Sequence, residues 1–210
     1  MNYSDFKSAV SIIKKLPLGG LDAQFKLAPS IRKPYTNDLI KAISPKKSAV
    51  LALFYPSKTG KTEFLLTLRA NYKGVHASQI SFPGGKFEES DINLTHTALR
   101  ETNEEVGIAI KKINIFKQLT NVYIPPSNFL VTPIMGFLST TPKLILNNEV
   151  EKVIPVTIKE LLADQAISTA TVTTSYAKKM EVPCFILNKT VVWGATAMML
   201  SEIRELLKKV

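Results

Sequence analysis

The sequence predicts an α/β fold, a mixed sheet flanked by helices with further helices at both ends of the chain. Two apolar runs, 49–56 and 130–138, have the length and composition of strands buried on both faces. A segment rich in glutamate, 94–106, has its apolar residues at helical spacing and is closed by Gly107. Strand-like and helix-like segments follow one another without regular βαβ alternation, so the sheet is expected to be mixed rather than parallel.

The elements follow in chain order. Phe6, Val10, Ile13 and Leu16 recur at helical spacing and predict a first helix packed on the body. A Pro/Gly-rich link, 17–20, separates it from a mixed stretch that ends near Pro45. Residues 1–45 are therefore expected to be a helical extension, and 46–210 the main domain. A strand at 49–56 turns through Ser57 to Lys61 into a second strand at 62–70. Gly60-Lys61-Thr62 resembles the end of a phosphate-binding loop, but Tyr55 stands where that motif needs its first glycine, so a hairpin turn is expected. A short strand at 80–82 runs into Pro83-Gly84-Gly85 and is followed by the helix at 94–106. Strands are expected at 113–119, 130–138, 153–156, 170–175 and 183–187, with a short helix at 158–164. A last helix, 195–209, ends on Lys208 and Lys209, which complement the negative end of its dipole.

The chain has 210 residues, 45% hydrophobic and 21% charged, which is ordinary for a folded domain and excludes a disordered chain. Its net charge of +10 favours polyanionic partners. The lysines are dispersed, which suits a phosphorylated small molecule better than the concentrated basic stripe of a nucleic-acid binder. No apolar run reaches the roughly 20 residues that span a bilayer, so no membrane partner is expected. A homodimer is compatible with the sequence. Cys184 is the single cysteine; it excludes an internal disulfide, and its apolar neighbours predict a buried structural thiol. Charged residues among the first apolar ones argue against a secretory signal, and the chain ends without a Ser-Lys-Leu address, so the cytoplasm is the expected location.

The chemistry is concentrated between Gly84 and Ile108. At about 100° per residue, Glu101, Glu104 and Glu105 share an arc of roughly 100°, while Leu99, Thr102 and Val106 face the other way, toward the sheet. Thr97 and Ala98 lie beside the carboxylates and are expected to leave room there. Like charges at this spacing repel, and a divalent cation relieves the repulsion; all-oxygen ligands suit Mg²⁺ or Mn²⁺. The residues alone also fit a second reading, a solvated acidic face paired with lysines. The Gly84-Gly85 turn would let backbone approach a metal or a phosphate.

The same residues resemble the Nudix box, in which a glycine and an acidic residue precede Arg-Glu-x-x-Glu-Glu-x-Gly-apolar. The second half is complete here, from Arg100-Glu101 through Glu104-Glu105 to Gly107-Ile108. The spacing from Gly85 to Arg100 is one residue longer than the general pattern and puts Asp91 where a glutamate is usual; Thr102 replaces a larger aliphatic residue. Within the family the chain is similar to coenzyme A diphosphatases, through 65–70, 81–85, 97–101, 130–134 and 192–197. That similarity covers 48–207, with departures at Gly74 and Ser78.

The resemblance implies an α/β/α Nudix sandwich and a Mg²⁺- or Mn²⁺-dependent cleavage of coenzyme A or its derivatives to 3′,5′-ADP and 4′-phosphopantetheine. It assigns Glu101, Glu104 and Glu105 to the metal, Arg100 to orienting a box glutamate, and Glu104 or Glu149 to activating water. Arg69, Lys73, Phe82, Gly84 and Gly85 are placed against the substrate, although Arg69 and Lys73, lone basic residues near a strand end, equally fit surface charges. Glu151 and His76 are weaker candidates; His96, Phe185 and Trp193 are read as structural, and Tyr123 as an aromatic available for base stacking. Alternative readings are a Nudix hydrolase of ADP-ribose, dinucleoside polyphosphates or capped RNA, and a non-catalytic regulator on the same fold. The three retained glutamates argue against the last.

Overall fold

A computed structural model describes residues 1–70, 80–173 and 179–210. Helices α1 (Tyr3–Lys15), α2 (Gly20–Phe25) and α3 (Asn37–Ile43) precede the sheet. Strands β1 (Lys46–Pro56), β2 (Thr62–Arg69), β3 (Ile80–Ser81) and β4 (Gly84–Lys86) lead into helix α4 (Leu94–Val106). Then come β5 (Asn114–Gln118), β6 (Val122–Ile124), β7 (Phe129–Phe137), β8 (Val150–Thr157), α5 (Ile158–Leu162), β9 (Ile167–Val172), β10 (Met180–Leu187), β11 (Thr190–Trp193) and α6 (Gly194–Leu207).

Strands β1 to β8 form one mixed sheet, in which β1 pairs parallel with β7 and the other pairings are antiparallel. Strands β9, β10 and β11 form a separate antiparallel meander. Alternation along β1 divides the core. Ala49, Leu51, Leu53 and Tyr55 meet Ala98 and Val106 of α4 on one face, whereas Ala52 and Phe54 join Phe6 and Ile13 of α1 and Met198 and Leu200 of α6 on the other. The result is the expected helix–sheet–helix layering. On α6, the fully buried Glu202 accepts from Gln24 Nε2, Thr120 Oγ1 and the Gly20 amide, and so ties α2 to the last helix.

One feature of the topology makes the site. β1 pairs with β2 only at Phe54–Pro56, and its other end, Ser48–Val50, pairs with β4 instead. The two strands diverge, and the Gly84–Gly85 turn is inserted between them. At Gly84 a Cβ would stand 2.3 Å from the Ala49 carbonyl oxygen, so only glycine admits this approach.

The structure also corrects several element bounds. The stretch before Pro45 contains α2 and α3, which carry too few residues to show a periodicity. β4, β6 and β11 were not expected from the sequence, being three or four residues long. β11 returns from β10 through Asn188 and Lys189, both at positive φ (46° and 60°), a tight hairpin made without the usual glycine. The strand expected at 170–175 begins earlier, at Ile167, and positions 174 and 175 lie outside the described residues. Cys184 is buried, as expected, and burial pushes its thiol up. Among the described residues no helix is long and apolar enough to cross a membrane.

Candidate active site

Helix α4 starts where the sequence places it, with the Asn93 side chain accepting from the His96 amide, and ends on Gly107 at φ 72°. A Cβ at Gly107 would meet Ile145 Cβ at 2.8 Å, so the glycine also admits the loop that crosses the helix end. That loop donates from Ile145 N to the Val106 carbonyl (3.0 Å) and from Asn147 N to the Glu105 carbonyl (3.2 Å). It thereby satisfies two of the carbonyls that a helix end leaves open. Asn147 Oδ1 then accepts from the Glu149 amide (3.0 Å), and the Glu149 carbonyl accepts from Ala70 N (2.8 Å). Glu149 is brought by these bonds to the end of β2 and beside α4.

The three glutamates of α4 do not share one environment. Glu105 is 3% exposed, Glu101 half-buried, and the Glu104 side chain 51% exposed. The helix is rolled toward Glu105, so Thr97, Ala98 and Thr102 lie against the protein, and the room expected beside Thr97 and Ala98 does not exist. Thr102 is accommodated on the apolar face because its hydroxyl donates to the Ala98 carbonyl one turn back (2.7 Å). Glu105 Oε2 accepts from the Gly84 amide (3.3 Å), and the Glu101 carboxylate lies where a Cβ of Gly85 would be, 2.3–2.5 Å away.

Two arginines divide the acidic groups between them. Arg100 grips Asp91 with two hydrogen bonds, Nε to Oδ1 and Nη2 to Oδ2, both 2.9 Å. Its Nη1 donates to Glu101 Oε1 (3.0 Å) and Glu104 Oε2 (3.1 Å), and its Nη2 also donates to the Lys86 carbonyl (3.0 Å). Arg69, at the end of β2, places Nη2 3.3 Å from Glu149 Oε2 and Nη1 3.7 Å from Glu105 Oε1. Asp91 further accepts from Thr97 Oγ1 (2.9 Å) and the Glu88 amide (3.0 Å), and its Oδ1 lies 3.0 Å from His96 Nδ1. These bonds, Arg100 first, hold the Asp91 carboxyl well below the usual carboxylate range, and the same pairing holds Arg100 above its own.

Burial acts in the opposite direction on the glutamates. It pushes Glu105 up to about 7, against the pull of Arg69 and the Gly84 amide, with Glu101 and Glu149 adding to the rise. Glu101 is raised too, by burial first, with Arg100 opposing and Glu104 and Glu149 contributing. The site is thus an all-oxygen acidic set whose members resist ionising together, which is the donor chemistry of a hard divalent cation. Among the described residues no three acidic, histidine or cysteine side chains already stand as a group that could hold a metal ion.

One expected substrate contact changes. The Phe82 ring is 1% exposed and packs against Phe64 in the core, so its side chain is a wall of the fold rather than a contact surface. Its apolar neighbours explain this; the turn takes its direction from that anchor. Lys73 and His76 lie outside the described residues. Phe185 is core, and Tyr123 stands edge-on to Tyr35 with its hydroxyl bonded to Asn128 (3.0 Å). In the sequence Asp91 is only a departure from the usual spacing; its role as the buried partner of Arg100 is visible only in three dimensions.

The glycines make a contrasting prediction. An added Cβ meets backbone at Gly84 but the end of a side chain at Gly85. Gly84→Ala is expected to lower the melting temperature sharply, whereas Gly85→Ala should keep the fold, displace Glu101 and lower turnover by at least about tenfold; equal melting temperatures for the two variants would contradict the arrangement. Glu105 gives a pH prediction. With its folded pKa near 7 above the ordinary 4.5, the stability it contributes is complete below about 4.5 and is lost as pH rises through about 7. In chelator, Glu105→Gln should therefore gain on the wild type in melting temperature between about pH 5 and pH 8; a difference that stays flat over that range would remove the burial argument.

The NUDIX domain family model matches residues 45–174. The chain is 32% identical over 166 residues to the human mitochondrial coenzyme A diphosphatase NUDT8, covering 78% of this chain and 70% of that protein. It is also 32% identical over 148 residues to the uncharacterized Nudix hydrolase NudL of Photorhabdus laumondii, covering 69% of this chain and 77% of that one. The crystal structure of the M. smegmatis Nudix hydrolase RenU superposes with a TM-score of 0.56 at 13% identity, over 88% of this chain and 94% of that one, a likeness of fold alone. The family match, the two relatives and the intact α4 glutamates identify the chain as a Nudix hydrolase.

Proposed function

We propose that this Nudix hydrolase cleaves the diphosphate of coenzyme A or its derivatives, giving 3′,5′-ADP and 4′-phosphopantetheine. The observation that carries the substrate reading is the similarity to the human coenzyme A diphosphatase, which extends over 78% of the chain and not over the box alone. We further take residues 46–210 as the catalytic domain and 1–45 as an extension packed on it. The expected cytoplasmic location belongs to this reading as well, although the human relative is named mitochondrial.

Glu101 and Glu105, joined by Glu104, would hold Mg²⁺ or Mn²⁺. When bound, that cation neutralises diphosphate charge and polarises the attacked phosphorus. The protein's own groups do the remaining work. Glu149, tied to the end of β2 by its carbonyl and reaching Arg69 by its carboxylate, is the base that takes a proton from the attacking water; Glu104 is the second candidate. Water oxygen bonds to one phosphorus, the bridging P–O bond breaks, and the bridging oxygen leaves on the other phosphate. Arg100 orients Glu101 and Glu104 while Asp91 keeps it in place. Arg69 and Lys73 meet phosphate oxygens, and the Gly84–Gly85 backbone sets Glu105 and Glu101 beside the diphosphate.

The metal is common to any diphosphate substrate, so selection of coenzyme A rests on its ribose 3′-phosphate and pantetheine arm. A charge-assisted contact to that phosphate is worth roughly 1.5–3 kcal/mol, a tenfold to hundredfold preference. Coenzyme A, dephospho-coenzyme A, ADP-ribose and a dinucleoside polyphosphate should be assayed in parallel with products identified by mass. Coenzyme A is expected to show the highest kcat/KM, about tenfold or more above its dephospho form. Faster turnover of ADP-ribose or the dinucleotide would overturn the substrate reading.

A further inference from the structure

The two arginines of the site are not equivalent. Arg100 is fixed by its two bonds to the buried Asp91 and a third to the Lys86 carbonyl, so its position does not depend on the glutamates it also contacts. Arg69 has carboxylate contacts that are longer, 3.3 and 3.7 Å, and one partner, Glu149, whose side chain is 54% exposed. The sheet is built to aim Arg69 there. Between Leu68 and Arg69 the pairing with β8 skips a residue: Leu68 stands opposite Lys152 and Arg69 opposite Val150, so Glu151 has no partner in the register. Such a bulge re-aims side chains at the end of a ladder, and here it sets Arg69 next to the Glu149 turn and against α4. A guanidinium is thus held between two carboxylates that come from different elements, one on the helix and one on the loop crossing the helix end.

We propose that Arg69 is a built-in counter-cation, which pairs with Glu105 and Glu149 when no divalent cation is bound and must give up Glu105 when one binds. The inference rests on the metal dependence proposed above. It accounts for the division of the acidic set, in which Arg69 pairs with Glu105 and Glu149 and Arg100 with Glu101 and Glu104. It also couples two events. The cation releases the guanidinium at the place where a diphosphate arrives, so Arg69 serves first as a competitor of the metal and then as a phosphate ligand. A cation remote from the metal's ligands would leave metal affinity unchanged when removed; one paired with a ligand makes it tighter when removed.

The test is direct Mn²⁺ binding, followed by the electron paramagnetic resonance of the free ion, without substrate and at constant ionic strength. Arg69→Gln is expected to bind Mn²⁺ about tenfold tighter than the wild type, the order expected for removing a unit charge a few ångströms from the ion. Glu105→Gln should bind it more weakly. If Glu105→Gln weakens binding but Arg69→Gln does not tighten it, the competitor role is wrong and the metal site stands. If the wild type binds no Mn²⁺, or Glu105→Gln binds as well as the wild type, the metal reading itself fails. Should Arg69→Gln not fold, the wild type supplies a second readout. The chain has four arginines, so their side-chain Nε resonances can be resolved in protein labelled with ¹⁵N-arginine and assigned with Arg69→Lys. Titration with Mg²⁺ should move the Arg69 resonance; an Arg69 resonance unmoved at saturation would overturn the proposal.

Discussion

Asp91 is a carboxylate whose side chain has no solvent exposure, and it stays ionised because Arg100, Thr97 and the Glu88 amide donate to it. A buried charge is tolerated only when it is paired and fully hydrogen-bonded. In return the pair fixes a guanidinium at the one place from which it reaches Glu101, Glu104 and the Lys86 carbonyl together. That carbonyl belongs to β4, the three-residue strand inserted between the diverging ends of β1 and β2. The Asp91–Arg100 pair therefore clamps helix to turn, and the positions of the acidic groups follow from it.

The second constraint is space. Gly84 and Gly85 are adjacent but are needed for different reasons: the first because β1 backbone lies against it, the second because the Glu101 carboxylate does. Gly107 plays the same part at the other end of α4, where the loop bearing Glu149 passes close over the helix. Three glycines thus set the distances of the site. The loop's two bonds to the Glu105 and Val106 carbonyls explain how a residue more than forty positions further along the chain, Glu149, is brought to the helix.

Much of this was legible in the sequence, because it was local. The bounds of α4, its glycine cap, the hairpin at Ser57–Lys61 and the buried β1 and β7 each follow from a period or a turn signal confined to a few residues. What was not legible depends on contacts between distant segments. Helical angles put Glu101, Glu104 and Glu105 on one arc, but only the packing of α4 on β1 and β4 decides that Glu105 is buried and Glu104 exposed. Phe82 belongs to a motif near the chemistry, yet its ring is taken by the core through Phe64. The longer spacing before Arg100 was visible as a departure, while its consequence, a shorter acid that is buried and gripped by two parallel bonds, required the fold.

If Asp91 acts through Arg100, the two residues are coupled in turnover. A double-mutant cycle in kcat, with Asp91→Asn, Arg100→Gln and the double variant at saturating metal and substrate, tests it most directly. Strong non-additivity is expected: each single change lowers kcat, and the double variant is no slower than Arg100→Gln alone. Effects that simply multiply would show that the two residues act independently and would contradict it.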